Sequence, residues 1–135
     1  MENDNHAVFG AYTIDTNILI AYIGGEPAVV ACIRDWRALY TTLFVSSVTE
    51  CELLSYPKLS VLEEEKIERF LMEQCIAVPF EGIRARRAAA IRRTVSTLKL
   101  PDAAIAALAL EMRTPLVTRN VRDFKKVTGL TTVRL

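Results

Sequence analysis

Asp15, Glu50, Glu52, Asp102, Asn120 and Asp123 stand where strands should hand over to helices. Asp15 follows "AYTI", the two glutamates follow "LFVSS", and Asn120 and Asp123 follow "PLVT". Asp102 opens an apolar helix after "KLP". Carboxylates brought within a few ångströms of one another repel, and some take up protons. A hard divalent cation relieves that repulsion, and Mg²⁺ or Mn²⁺ is the occupant that oxygen ligands favour. Such a cation acidifies a bound water and neutralises charge building on a phosphoryl group. Metal-dependent hydrolysis of a phosphodiester is therefore the chemistry this set supports.

Other chemistries find little material. The one histidine, His6, lies near the N-terminus, which argues against Ser-His-Asp, Cys-His and His-ligated metal sites. Cys32, Cys51 and Cys75 are scattered, odd in number and form no CxxC pair, so they read as free thiols in a reducing compartment. Each acid also has a plainer reading. Asp15 could cap the helix that follows it, and Asp102 could be a first-turn acid. Glu50 or Glu52 could be solvated, Asn120 a turn residue and Asp123 a first-turn acid. Their joint placement after strands is what raises them above those readings.

The elements that must position them alternate. Strands are expected over "AYTID", "LFVSS", "CIAVPF", "PLVT" and "TTVRL". Helices are expected over "TNILIAYI", residues 27–41, "VTECELLSY", the stretch after the Ser60/Glu63 capping box, residues 82–98, and "DAAIAALALEMR". A short helix is expected in "RNVRDFKK". Within 82–98 the core stripe is Ala88, Ile91, Val95 and Leu98, with Arg86 and Arg93 opposite it in solvent. Alternation of this kind predicts an α/β fold with a central, mostly parallel sheet covered by helices on both faces. Ligands in such folds bind beyond the carboxyl ends of the strands, where the acids fall.

The chain has 135 residues, 51% hydrophobic and 24% charged, which suits one soluble domain. Its longest apolar run, "AAIAALAL", is too short to span a bilayer, and its polar N-terminus does not read as a secretory signal. No membrane association and a cytoplasmic location are the expectation. Net charge is +1, but residues 1–83 hold 5 Lys/Arg against 13 Asp/Glu and residues 84–135 hold 12 against 3. The basic part could attract a polyanion, or the two parts could neutralise each other.

Four stretches together resemble the PIN-domain ribonucleases, and among them the VapC-type toxins of bacterial toxin–antitoxin pairs. They are "IDTNILIAYI", "VSSVTECEL", "KLPDAAIAALAL" and "PLVTRNVRDF". The resemblance implies a Rossmann-like three-layer α/β/α sandwich, with residues 12–135 as a single PIN-like domain behind a tail of residues 1–11. It implies an acidic quartet at Asp15, Glu52, Asp102 and position 120, choosing Glu52 over Glu50 because the family acid stands three after the Thr. Asp15, Glu52 and Asp102 would hold Mg²⁺ or Mn²⁺. Asn120 departs from the Asp that many relatives carry and brings an oxygen without charge. Asn17, Thr118, Ser47 and Asp123 would orient the carboxylates and waters. Arg87, Arg92, Lys99 and Arg119 are the foremost candidates for holding the RNA backbone. The family further implies an RNA substrate, tRNA or rRNA, a cognate antitoxin whose C-terminal segment lies in the active-site groove, and a homodimer formed through helices of the N-terminal half. The alternative is a catalytically weakened module that binds RNA or a protein partner without cleaving.

Overall fold

The structure, a computed structural model, describes residues 10–135. His6 and nearly all of the expected tail lie outside the described residues. Five strands, β1 (Ala11–Ile14), β2 (Thr42–Ser46), β3 (Ile76–Val78), β4 (Leu116–Thr118) and β5 (Thr132–Arg134), form one sheet in the order β3-β2-β1-β4-β5. Every pairing is parallel. Seven helices connect them among the described residues: α1 (Thr16–Ile23), α2 (Pro27–Ala38), α3 (Ser47–Leu54), α4 (Val61–Glu73), α5 (Ile83–Thr94), α6 (Leu100–Met112) and α7 (Val121–Phe124). This is the expected α/β/α sandwich.

Two apolar clusters define the layers. One joins Tyr12, Ile14, Val45 and Val117 of the sheet to Ile18 and Leu19 of α1, Ile33 and Trp36 of α2, and Phe70 of α4. The other joins Leu116 to α6, to Ala88 of α5 and to Phe124 of α7. Alternation along β4, with Leu116 facing one layer and Val117 the other, is what a doubly covered strand requires. Tyr12 stacks on Trp36 with ring centroids 4.3 Å apart, fixing α2 against β1.

Helix α6 is buried from Ala103 to Ala109. Its run of alanines has no long side chains to hold the neighbouring elements away, so α6 packs closely on the sheet and on α5. No helix among the described residues is long and apolar enough to cross a membrane.

Two expected helices end early. The helix expected over 27–41 stops at Ala38, because Tyr40 takes a left-handed conformation (φ 59°) while Thr41 N–H returns to Trp36 O. The helix expected over 82–98 stops at Thr94, whose hydroxyl donates to Ile91 O. Val95 and Leu98 stay buried all the same, because a turn closed by Leu98 N–H on Val95 O keeps them facing inward. The capping box is present as expected, with Ser60 and Glu63 exchanging side chain-to-backbone hydrogen bonds ahead of α4.

Candidate active site

The order of the sheet sets the position of the site. The chain leaves β1 towards β2, and β4 lies on the other flank of β1, so the topology reverses between β1 and β4. A crevice opens at such a reversal beyond the carboxyl ends of the strands. Asp15 is the first residue past β1, and Thr118 is the last residue of β4.

Asp15 is 4% exposed. Its backbone N–H donates to Val117 O, tying it to β4. Its carboxylate accepts from Thr16 N–H on Oδ1 at 2.7 Å and from the Thr118 hydroxyl on Oδ2 at 2.6 Å. The capping reading of Asp15 and the site reading therefore hold together, since the residue caps α1 and also faces the crevice. Burial pushes its carboxyl up, the hydrogen bonds from Thr118 and Thr16 pull it down, the charge on Glu52 raises it again, and Asn17 lowers it.

Glu52 reaches the same place from α3. The Thr16 hydroxyl donates to Glu52 Oε1 at 2.6 Å and lies 3.0 Å from the Thr49 hydroxyl. Thr49 and Glu52 share a helix face by their spacing of three, which turns both towards the start of α1. Glu50 faces elsewhere. Its charge is felt by Cys75, whose thiol is pushed up to about 12, first by burial and then by that acid.

Asp102 enters from the first turn of α6, where Pro101 stands beside it. Its carboxyl is pushed up to about 6, chiefly by burial, then by the charges of Asp15, Glu52 and Asp123, against a lowering by Lys99. The fold thus gathers Asp15, Glu52, Asp102 and Asp123, contributed by four different elements. Asn120 joins them through its side-chain amide, which donates to Asp123 Oδ2 at 3.0 Å, while its backbone N–H donates to the Thr118 hydroxyl at 2.9 Å.

Asn17 contributes a buried Oδ1 with no hydrogen-bond partner among the described residues. A buried oxygen left in that state calls for a donor or a cation. Among the described residues no three His, Cys, Asp or Glu side chains are gathered as closely as direct ligation by all of them demands. The polar atoms that face the crevice are oxygens, the ligand type of a hard cation such as Mg²⁺, which commonly keeps several of its waters.

The remaining expected residues divide. Ser47 accepts from Phe80 N–H at 2.9 Å and so anchors the segment after β3, while its neighbour Ser46 caps α3. Arg119 is held in an ion pair with Glu26, and its Nε also contacts Leu135 O. Arg92 and Lys99 are exposed, and so is Arg87, on a different side of α5 from Arg92. Thr16 and Thr49 were missed by sequence reasoning as positioning residues. Both stand inside the motifs quoted above, between the acids that drew attention.

An apolar groove of about 160 Å³ adjoins Glu52. It is lined by Ile20 and Ile23 of α1, Leu53 of α3, Tyr56, and Ile67 of α4, with Glu52 on its wall.

A three-layer sandwich with carboxylates gathered at its switch point defines the class of protein. The family model of the PIN domain matches residues 12–130, and the chain belongs to that family. The fold is shared with chains of solved toxin–antitoxin complexes. One is a toxin–antitoxin complex from Klebsiella pneumoniae, 28% identical, with a TM-score of 0.72 over 92% of this chain and 99% of that one. Another is VapBC2 from Rickettsia felis bound to a fragment of promoter DNA, 23% identical, with a TM-score of 0.79 over 93% and 98%. A third is VapBC-1 from nontypeable Haemophilus influenzae, 24% identical, with a TM-score of 0.73 over 92% and 97%. Comparison with curated protein sequences finds no match.

Proposed function

We propose that the protein is a VapC-type toxin, a metal-dependent endoribonuclease acting in the cytoplasm and neutralised by a cognate antitoxin. The observation that carries this reading is that Thr16 joins two acids remote in sequence, its N–H donating to Asp15 at 2.7 Å and its hydroxyl to Glu52 at 2.6 Å, with Asp102 of α6 near enough to feel the charge of both.

Asp15, Glu52 and Asp102, with the Asn17 amide oxygen, would hold Mg²⁺ or Mn²⁺, in part through water. When bound, the cation supplies charge neutralisation on the scissile phosphate and acidifies a water. Thr118 and Thr16 keep the Asp15 and Glu52 carboxylates oriented by donating to them at 2.6 Å. Asp102, at the start of α6 beside the other two acids, would position the attacking water. Asn120 and Asp123, joined to each other on the β4 side of the site, would orient water there.

The partner reading rests on the kind of complexes whose fold this chain shares and on the groove beside Glu52. An antitoxin segment with apolar side chains would fill that groove and reach the carboxylates. Exposed Val61, Leu62 and Met72 on α4 support a homodimer through the N-terminal half.

Incubation of the purified protein with total tRNA and rRNA, with Mn²⁺ or with EDTA, tests the activity. Discrete cleavage with Mn²⁺ is expected, absent with EDTA and absent for Asp15→Asn. Equal cleavage by wild type and Asp15→Asn would overturn the reading.

A further inference from the structure

The basic C-terminal part is not neutralised by the acidic part. Only two ion pairs form among the described residues, Arg84 with Glu111 and Arg119 with Glu26. Helix α5 therefore presents Arg86, Arg87, Arg92 and Arg93 to solvent with no carboxylate within ion-pair distance among those residues. An exposed block of like charge of this kind attracts anionic partners.

Two of these arginines line a cleft. It measures about 540 Å³ and lies between α5, the segment after β3 and the start of α6. Phe80, Ala89 and Leu100 give it an apolar wall, Arg92, Arg93 and Ser96 give it a polar one, and no acid lines it. The Arg92 Nε donates to Leu98 O at 3.2 Å, which anchors the guanidinium and leaves its terminal nitrogens free to donate elsewhere. Arg87 lies well round the helix from this wall, so the cleft selects Arg92 and Arg93 among the helix's cations.

The cleft also has a direction. Leu100 lines it, and Asp102 stands two residues further along the same first turn of α6. Lys99, which precedes that turn, acts electrostatically on Asp102. Lys99 thus stands next to the cleft's Leu100 and within electrostatic reach of Asp102. Size, an aromatic and aliphatic wall, and fixed guanidinium donors are together the chemistry that recognises a nucleotide: the base face lies on the apolar side and the phosphate meets the arginines.

We propose that this cleft is a nucleotide subsite, holding a residue of the single-stranded substrate at one remove from the scissile phosphate. It rests on the reading of the protein as a ribonuclease. It adds a second contact region that positions the strand across Asp102 and would select where the strand is cut.

The test uses the full chain and a fluorescein-labelled single-stranded RNA in EDTA, so that binding is read without cleavage. Ala89→Trp fills the cleft from an exposed helix position without changing charge. Arg92→Ala/Arg93→Ala removes its donors, and Arg87→Ala/Lys125→Ala removes the same charge from outside it. Affinity is expected to fall about tenfold or more for the first two and less than threefold for the last. Cleavage of tRNA with Mn²⁺ by Ala89→Trp should shift or lose its preferred positions. Equal losses for both double variants would show a diffuse charge effect and overturn the subsite. So would unchanged affinity in Ala89→Trp, or a change in its sedimentation from dimer to monomer with RNA affinity kept, which would assign the cleft to contact between copies. If no RNA is cleaved by any form yet Ala89→Trp still abolishes binding, the nuclease reading fails and the subsite stands.

Discussion

The Thr118 hydroxyl donates to Asp15 Oδ2 at 2.6 Å across the β1–β4 junction, and the Thr118 Oγ1 itself accepts from Asn120 N–H at 2.9 Å. One fully buried hydroxyl thus joins the carboxylate at the end of β1 to the turn that carries the β4 polar residues. Two of the contributing elements are tied together because a single threonine has both a proton to give and lone pairs to receive.

Thr118→Val keeps the shape and removes both bonds. Asp15 then loses the hydrogen bond that most lowers its pKa, so its carboxyl rises further. The acidic limb of the cleavage pH profile is expected to move to higher pH, with a loss of activity larger at pH 6 than at pH 8. Stability should fall by about 1–3 kcal/mol from the unmet buried groups. A profile that falls uniformly with pH would show that Thr118 does not act through Asp15.

Thr16 does the same service for Glu52. Thr16→Val is expected to lower cleavage about 10–100-fold, the usual cost of removing a group that orients a metal-binding carboxylate. Glu52→Gln should abolish cleavage, while Glu50→Gln should stay within about twofold of wild type. Reversal of the two glutamate results in the same assay would move the acid to the other side of α3.

Packing of α6 carries its own prediction. Ala106 is fully buried in the layer beneath the sheet, so Ala106→Leu forces an overpacked core that costs about 1–3 kcal/mol. The melting temperature followed by circular dichroism should drop by several degrees. Ala90→Leu, on the exposed side of α5, should leave it nearly unchanged.

What could be read in the residues, and what could not, divides on physical lines. The alternation of apolar runs with breakers marked all five strands and the order of the helices, because burial on both faces leaves a continuous signal in composition. Helix ends were less visible. Tyr40 and Thr94 stop α2 and α5 through backbone conformation and a local hydroxyl bond, neither of which disturbs apolar periodicity. Asp15, Glu52 and Asp102 could be picked as candidates because acids at strand ends are conspicuous. Apolar periodicity did not separate Glu52 from Glu50, although two residues apart on a helix point to nearly opposite sides, because both are only partly exposed in this fold; the hydrogen bond from Thr16, remote in sequence, separates them. The arginines were the hardest. Whether a surface cation is neutralised depends on which acids the fold brings near, so Arg119 met Glu26 while Arg92 and Arg93, without an ion pair among the described residues, line a cleft.

Asp102 sets a site requirement against fold stability. Its carboxyl stands at about 6 instead of 3.8, through burial and the acids around it. Folding therefore favours its protonated form. That contribution is fully present below about pH 4 and is lost as pH rises through about 6. Two units correspond to roughly 3 kcal/mol, and partial exposure of the side chain reduces this to about 1–2 kcal/mol. Asp102→Asn removes the unfavourable charge. In urea denaturation the variant is expected to be more stable than wild type by about that amount at pH 7.5, to be equal to it below about pH 4, and to cleave no RNA. Mn²⁺ should raise the melting temperature of the wild type and leave the variant's unchanged, since a bound cation offsets the same repulsion. A variant that gains nothing at pH 7.5, or that responds to Mn²⁺ as the wild type does, would mean that Asp102 is not held against the other acids at a shared cation.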